Sequence, residues 1–215
     1  SLYSLLLAGY YLMLRAYSNQ DDIVIGTPVA NRHYPQIENL IGFFVNSLAL
    51  RAIIDPNTTL KEFIQKIGEE VVQAQLHQDL PFEKLVEELN IVKDTSKHPI
   101  FQVMFVTEGF NEVTDCNNQH IMKVLEPYTG NNDYNVAKFD ISSFIDDSQL
   151  QLKGKFNYAV SLYTEETITS FIKTYIHILE QFTILLEDGQ QEKATIAQLS
   201  YLPTPVYQQV ITEWN

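Results

Sequence analysis

The chain has 215 residues, 45% of them hydrophobic and 19% charged, with only 8 glycines and 8 prolines, which predicts one large folded domain rather than a fibre or a disordered tail. Acidic side chains outnumber basic ones 27 to 14, a formal net charge of -13, so the mean field repels nucleic-acid phosphates and anionic lipid headgroups. The single cysteine, Cys116, excludes an internal disulfide and a cysteine-rich zinc site, in keeping with a reducing cytoplasm.

Residues 1 to 18 read as a helix that is apolar nearly all round and ends in the polar run Ser18-Asn19-Gln20-Asp21-Asp22. Its uncharged part, Leu2 to Leu14, is shorter than the ~20 apolar residues of a membrane span and has no basic segment ahead of it. The expectation is a buried helix that begins without a capping sequence, within a longer protein. Ile23-Val24-Ile25-Gly26 reads as a strand stopped by the Gly26 and Pro28 pair, and a long loop follows before extended structure resumes over Val45 to Ile54.

Asp55-Pro56-Asn57 predicts a turn, and Thr59-Leu60-Lys61-Glu62 a capping box that opens a helix. In that helix Leu60, Phe63, Ile64, Ile67 and Val71 keep the three-and-four spacing of one buried face. A second short helix is expected from Pro81, where a missing N–H donor does no harm. Ile100 to Val106 is almost entirely apolar, the pattern of a central strand covered on both faces. Residues 107–137 lack steady periodicity and read as a long excursion.

Lys138 to Ile145 and Gln149 to Tyr158 alternate as two antiparallel strands, with Asp146-Asp147-Ser148 as their turn and Leu150, Leu152, Phe156 and Tyr158 on one face. Thr164 should cap a last long helix, whose Ile168, Phe171, Ile172, Tyr175, Ile176, Leu179 and Phe182 form an apolar stripe ending near Gly189. The chain after it reads as linker-like. Together these elements predict an α/β fold, a mixed sheet flanked by helices.

The sequence shows no phosphate-binding glycine loop and no nucleophile elbow. Its five histidines, His33, His77, His98, His120 and His177, include no helical metal pair, so a metal site is not expected. His77-Gln78-Asp79-Leu80-Pro81-Phe82-Glu83 gathers an imidazole and two carboxylates, which admits general-base chemistry. The structural reading is preferred: Asp79 caps the next helix, Phe82 enters the core and His77 ends a helix. Arg32 can hold a carboxylate or phosphate through a bidentate contact, or form a buried ion pair with an aspartate. Asn46 lies in an apolar run and must find partners, either in the backbone or in a ligand.

Three motifs resemble the condensation domains of non-ribosomal peptide synthetases. Ile41-Gly42-Phe43-Phe44-Val45-Asn46, continuing to Arg51, is similar to the family's IGxFVN motif; His77 to Glu83 fills every position of HQDxPFE. Lys93-Asp94-Thr95-Ser96-Lys97-His98-Pro99-Ile100-Phe101 resembles RDxSRNPLF, with two arginines replaced by lysine, asparagine by His98 and leucine by Ile100. Asp22 to Arg32 looks like the family's GTPVxxR segment, and Glu213-Trp214-Asn215 like the start of a linker to an adenylation domain.

The resemblance implies a chloramphenicol-acetyltransferase-like fold of two lobes, of which residues 1–199 form the C-terminal lobe, residues 107–137 the latch, and residues 200–215 the start of the linker. It implies amide formation between thioesters delivered on the 4'-phosphopantetheine arms of donor and acceptor peptidyl carrier proteins, with no cofactor bound directly, in a bacterial cytoplasm. The catalytic histidine would belong to an HHxxxDG motif on the N-terminal lobe, so no catalytic residue is assigned here and the isolated chain is expected to be inactive. Arg32 would brace that motif by pairing with its aspartate. Asn46, His77 and Asp79 become candidates near the substrate tunnel, and Gly42, Phe44, Pro81, Phe82, Asp94, Ser96 and Pro99 become structural motif residues. The alternatives are a non-catalytic module that recruits carrier proteins or a tailoring enzyme, and an epimerisation or heterocyclisation relative.

Overall fold

The protein is described by a computed structural model covering residues 1–91, 94, 96–107, 136–147, 151–203 and 207. The expected latch therefore lies outside the described residues except at its two ends, as does the terminal Glu213-Trp214-Asn215. Helix α1 spans Leu2–Ser18, and Ser1 caps it: the Ser1 hydroxyl accepts from the Ser4 N–H at 3.1 Å, so a cap is present after all, in the first residue itself.

Strand β1 runs over Asp22–Val29 and pairs antiparallel with β2, Asn46–Ile53, from Asp22 opposite Ile53 to Val29 opposite Asn46. Gly26 and Pro28 do not stop β1, contrary to the sequence expectation. On its other side the ladder from β1 to β3, Val103–Thr107, registers at the single pair Gly26 and Met104, short of Pro28. Proline's missing donor is tolerated there because its strand continues on the antiparallel ladder to β2.

Strand β3 then pairs parallel with β4, Ile141–Asp146, which pairs antiparallel with β5, Lys153–Tyr158. The mixed sheet thus has the order β2-β1-β3-β4-β5, with the apolar Val103–Thr107 at its centre as its composition predicts. Asp146 belongs to the ladder, opposite Lys153, so the connection starts after it and is longer than the predicted three-residue turn, whose Ser148 lies outside the described residues with Leu150. Leu152 is exposed, whereas Phe156 and Tyr158 pack on the core as expected.

Helix α2 spans Leu60–Leu76 behind its predicted capping box: Thr59 Oγ1 accepts from the Glu62 N–H and the Glu62 carboxylate accepts from the Thr59 N–H at 3.1 Å. Helix α3 is Phe82–Glu88, and α4 is Glu165–Glu187, capped by Thr164. In α4 Ile178, three residues after Tyr175 and four before Phe182, completes the buried stripe, whereas Ile176 lies at its edge and faces solvent, contrary to the sequence expectation.

The sheet separates two apolar clusters, as the alternation of its strands requires. Ile23, Ile25 and Phe105 face α1, α2 and α4, where Tyr10 meets Phe105 and Tyr175 at ring separations of 5.1 and 5.8 Å. Val24, Met104 and Val106 face the other way, onto Phe82, Phe101 and Phe139. The larger cluster is pinned by buried tyrosines: Tyr11 donates to the Leu50 carbonyl at 2.8 Å and Tyr175 to the Leu6 carbonyl at 2.9 Å.

The segment after Gly189 is not linker-like over its first part. Leu60 N–H donates to Ala194 O and Ile196 N–H to Thr58 O, which seats a 3-10 turn, Ile196–Gln198, against the start of α2. Ile196 and Leu199 enter the larger core, and Arg15 reaches Tyr201 Oη at 3.2 Å.

Candidate functional site

The smaller apolar cluster carries the site. It begins with Gly26, where β1 would place a Cβ 2.1 Å from Cε2 of Phe101, a ring that is 1% exposed. Only glycine lets this aromatic lie flat on β1, which brings the segment His98 to Phe101 across the sheet toward the loop that leaves β1.

That loop is organised by Arg32. Its Nη1 donates to the carbonyls of Ile37, Glu38 and Leu40 at 2.6, 3.2 and 2.7 Å, and its Nη2 donates to Gly42 O at 3.2 Å. The guanidinium also lies 4.3 Å from the centre of the Phe44 ring. Gly42 approaches the same ring, since a Cβ there would stand 2.9 Å from Phe44 Cε2. Among the described residues Arg32 has no carboxylate partner; it holds backbone carbonyls, an arrangement neither sequence reading anticipated.

Asn46 finds hydrogen-bond partners in the backbone. Its Nδ2 donates to Gln78 O and Leu80 O, both at 2.8 Å, and its Oδ1 accepts from the Phe82 N–H at 3.1 Å. The first residue of α3 is therefore capped from β2, while Pro81 at the cap position offers no side-chain bond. Asp79, expected to be that cap, instead stands 3.3 Å from His33 Nε2. His77 is the exposed C-cap of α2, with its N–H on Ala74 O, as a helix-end residue should be.

Asp94 and Ser96 form a local turn: Asp94 Oδ1 accepts from the Ser96 hydroxyl at 2.6 Å and from its N–H at 2.9 Å. The Ser96 hydroxyl, then its backbone N–H, hold the Asp94 carboxyl below the usual range. Lys93 and Thr95 of that motif lie outside the described residues. Two residues past Lys97, Pro99 O accepts from the Phe101 N–H at 2.9 Å around Ile100, whose φ is 70°. This is a tight γ-turn at a β-branched residue, a strained conformation of the kind found where function fixes a side chain.

The side chain fixed there is His98. Its ring lies within 4.6 to 5.1 Å of the centres of Phe101, Phe139 and Phe82. Nδ1 stands 2.9 Å from Pro99 O and 3.1 Å from Phe101 O; carbonyls only accept, so these partners assign the proton to Nδ1. Sequence reasoning marked His98 only as a departure from a motif; its aromatic setting depends on residues up to 41 positions away.

These segments converge. One cleft of about 320 Å³ is lined by Asn31 from the end of β1, by Phe43 to Ser47, by Asp79 to Glu83 without Leu80, and by His98. Asn31 has φ 52°, and its buried Oδ1 has no hydrogen-bond partner. Beside the cleft, Leu40, Ile41, Phe43 and Val45 expose an apolar run, with Phe43 91% exposed. The arrangement can place a ligand between a mixed polar wall, with Ser47, Asp79 and Glu83, and the aromatic faces of Phe43, Phe44 and Phe82.

The family described as "Condensation domain" matches residues 1–201. The chain is 39% identical over 205 residues, 95% of its length, to N-(5-amino-5-carboxypentanoyl)-L-cysteinyl-D-valine synthase of Amycolatopsis lactamdurans. It is 34% identical over its whole length to gramicidin S synthase 2 of Brevibacillus brevis. It spans 5% of each of those two proteins. Among solved structures, a four-domain nonribosomal peptide synthetase bound to AMP and glycine superposes with a TM-score of 0.75 at 24% identity, covering 95% of this chain and 16% of that one. The X-domain of teicoplanin biosynthesis, solved with OxyB, gives 0.74 at 25% identity, covering 94% and 43%.

Proposed function

This chain belongs to the condensation-domain family, and we propose that it is the C-terminal lobe of a domain that joins carrier-tethered acyl groups to amines in non-ribosomal peptide synthesis. Its fold is the mixed-sheet, chloramphenicol-acetyltransferase-like lobe of that family. The observation that carries the reading is the convergence of four separate motif segments on one cleft: the end of GTPVxxR at Asn31, IGxFVN at Phe43 to Asn46, HQDxPFE at Asp79 to Glu83, and the third motif at His98.

The division of labour follows from the donors already in use. Arg32 spends its Nη groups on the loop carbonyls, and its Nε has no partner among the described residues. That leaves a guanidinium edge for a carboxylate supplied by another lobe, which supports the bracing role. The exposed Leu40, Ile41, Phe43 and Val45 form the apolar surface against which an N-terminal lobe would close. The proton chemistry would come from that lobe, while this one shapes the cleft and receives substrates.

The thioesters would arrive on 4'-phosphopantetheine arms of donor and acceptor carrier proteins, with an adenylation domain following in the same synthetase. A cytoplasmic setting agrees with this; no described helix is long and apolar enough to cross a membrane. The recruiting-module alternative has its structural likeness in the X-domain at 25% identity, while the two synthases match at 34% and 39%, which favours condensation.

Titrating the chain with an aminoacyl-phosphopantetheinyl carrier protein tests the proposal. Shifts concentrated at Phe43 to Ser47 and Asp79 to Glu83, and absent with the same carrier lacking its arm, are expected. Saturable binding of the loaded carrier that leaves both segments unmoved would contradict it.

A further inference from the structure

Strands β1 and β3 run side by side in the same direction, and beyond their carboxyl ends the chain from β1 returns in β2 on one flank while the chain from β3 goes on to β4 on the other. Connections that diverge in this way leave a crevice outside the carboxyl ends of the two strands, a common place for a ligand in an open sheet. A cavity of about 200 Å³ lies there, on the α1 and α2 side of the sheet, between Thr27 of β1, Thr107 of β3, Tyr3 of α1, Leu48 of β2 and Val71 and Gln75 of α2.

Two bonded hydroxyls fix the polar chemistry of this cavity: Tyr3 Oη donates to Thr27 Oγ1 at 3.2 Å. Burial raises the Tyr3 phenol above its ordinary value, so it stays protonated and keeps that role. With its proton used, the Tyr3 oxygen is left as an acceptor; Thr27 accepts from it, and its own proton has no acceptor among the described residues. Thr27 is only 8% exposed, and a buried donor without a partner is costly. The other polar groups of the lining, the Gln75 amide and the Thr107 hydroxyl, can each donate and accept, and no charged side chain among the described residues lines the space. Val29, Leu48, Leu50 and Val71 supply an aliphatic wall.

We infer that this cavity binds a small uncharged ligand, an aliphatic body carrying an amide or a hydroxyl, whose polar group accepts from the Thr27 hydroxyl and donates to Tyr3 Oη. The two protein oxygens are bonded to each other, so one such group reaches both. A carboxylate has no proton to give Tyr3 and an ammonium has no lone pair for Thr27, and either would bring a charge to a lining that offers no counter-charge. The aliphatic wall favours a ligand with an apolar body over water alone, and since a cavity of roughly 150 Å³ takes up benzene, the space is sufficient. The inference goes beyond amide synthesis and needs neither a carrier protein nor a second lobe.

The test uses the chain itself with isobutyramide as the probe, followed by NMR through the Thr27 backbone amide and the methyl groups of Val29, Leu48 and Val71. Saturable shifts at these positions are expected with isobutyramide, and none with sodium isobutyrate or isobutylammonium chloride at the same concentration. Thr27→Val keeps the shape and removes the donor, while Tyr3→Phe keeps the ring beside Phe105 and removes the acceptor. Each should weaken isobutyramide binding about fivefold, the loss of one hydrogen bond, with the methyl signals of the core residues Ile178 and Ile196 unchanged. Where one variant fails to fold, the other decides. Equal shifts with isobutyrate or isobutylammonium, unaltered binding in a folded variant, or no saturable shift with isobutyramide, which would mean a cavity holding water only, would overturn the inference. Such a failure leaves amide synthesis standing, and a failure of amide synthesis leaves this cavity's ligand standing.

Discussion

The side-chain oxygen of Asn46, at the first position of β2, accepts the backbone N–H of Phe82, at the first position of α3, at 3.1 Å. One amide thereby ties the sheet edge to the HQDLPF segment, with two further bonds from its nitrogen to Gln78 O and Leu80 O. Asn46→Ala removes all three and strips α3 of the only side-chain cap it has among the described residues. At about 1 kcal/mol per net hydrogen bond, the expected loss is roughly 2–3 kcal/mol in a denaturant titration. A loss below about 0.5 kcal/mol would show that water replaces Asn46 at no cost.

Gly26 and Phe101 make the second prediction. Gly26→Ala puts a methyl group 2.1 Å from a buried ring that has nowhere to go, and overpacking of this kind costs about 1–3 kcal/mol or more. Combining it with Phe101→Leu should recover part of that cost, so the double variant is expected to be more stable than the two single effects summed, by about 1 kcal/mol. Strict additivity would mean that the clash is relieved elsewhere.

Arg32→Ala releases the carbonyls of Ile37, Glu38, Leu40 and Gly42. The turn bonds from Ile37 N–H to Tyr34 O and from Leu40 N–H to Ile37 O depend on that scaffold. Hydrogen exchange at Ile37 and Leu40 should speed up, with Ile25 and Phe105 in the sheet unchanged. In the assembled domain, truncating one member of a buried ion pair typically costs ~3–5 kcal/mol, so turnover and melting temperature should fall together. Wild-type turnover with unchanged melting would remove Arg32 from the interface.

Glu62 gives a pH prediction with a fixed sign. The Thr59 hydroxyl, then the Thr59 N–H, hold its carboxyl below the ordinary range. A lowered native pKa means that the charged form supports the fold above the unfolded value of about 4.3, and that this support is lost as pH falls through the native value. An NMR titration of the Glu62 carboxyl should therefore show a midpoint below that of a model glutamate, and Thr59→Ala should bring it back toward the ordinary value. A midpoint indifferent to Thr59 would rule out the capping box as its cause.

Local sequence signals located the elements well where the physics is local. The Thr59 and Glu62 box, the Thr164 cap and the apolar Val103–Thr107 strand each depend on neighbours within four positions or on a simple alternation. The failures share the opposite property. Pro28 persists in a strand because β2 carries that strand's ladder, and Asp79 loses the capping role to Asn46, 33 positions earlier. Ile196 and Leu199 are buried by a segment the chain meets only after α4 has folded back, so no local pattern marks them. The motif residues were legible as a set, yet their convergence on one cleft, and the fixing of His98 by Phe82, Phe101 and Phe139, exist only in three dimensions.

The central claim is that this lobe serves amide formation, and single-turnover transfer in the synthetase that contains it tests that most directly. Donor and acceptor carrier proteins loaded with acyl and aminoacyl thioesters should yield the donor group as an amide on the acceptor's amine, with the product still tethered to the acceptor arm. A folded synthetase that binds both loaded carriers and transfers nothing would contradict the account.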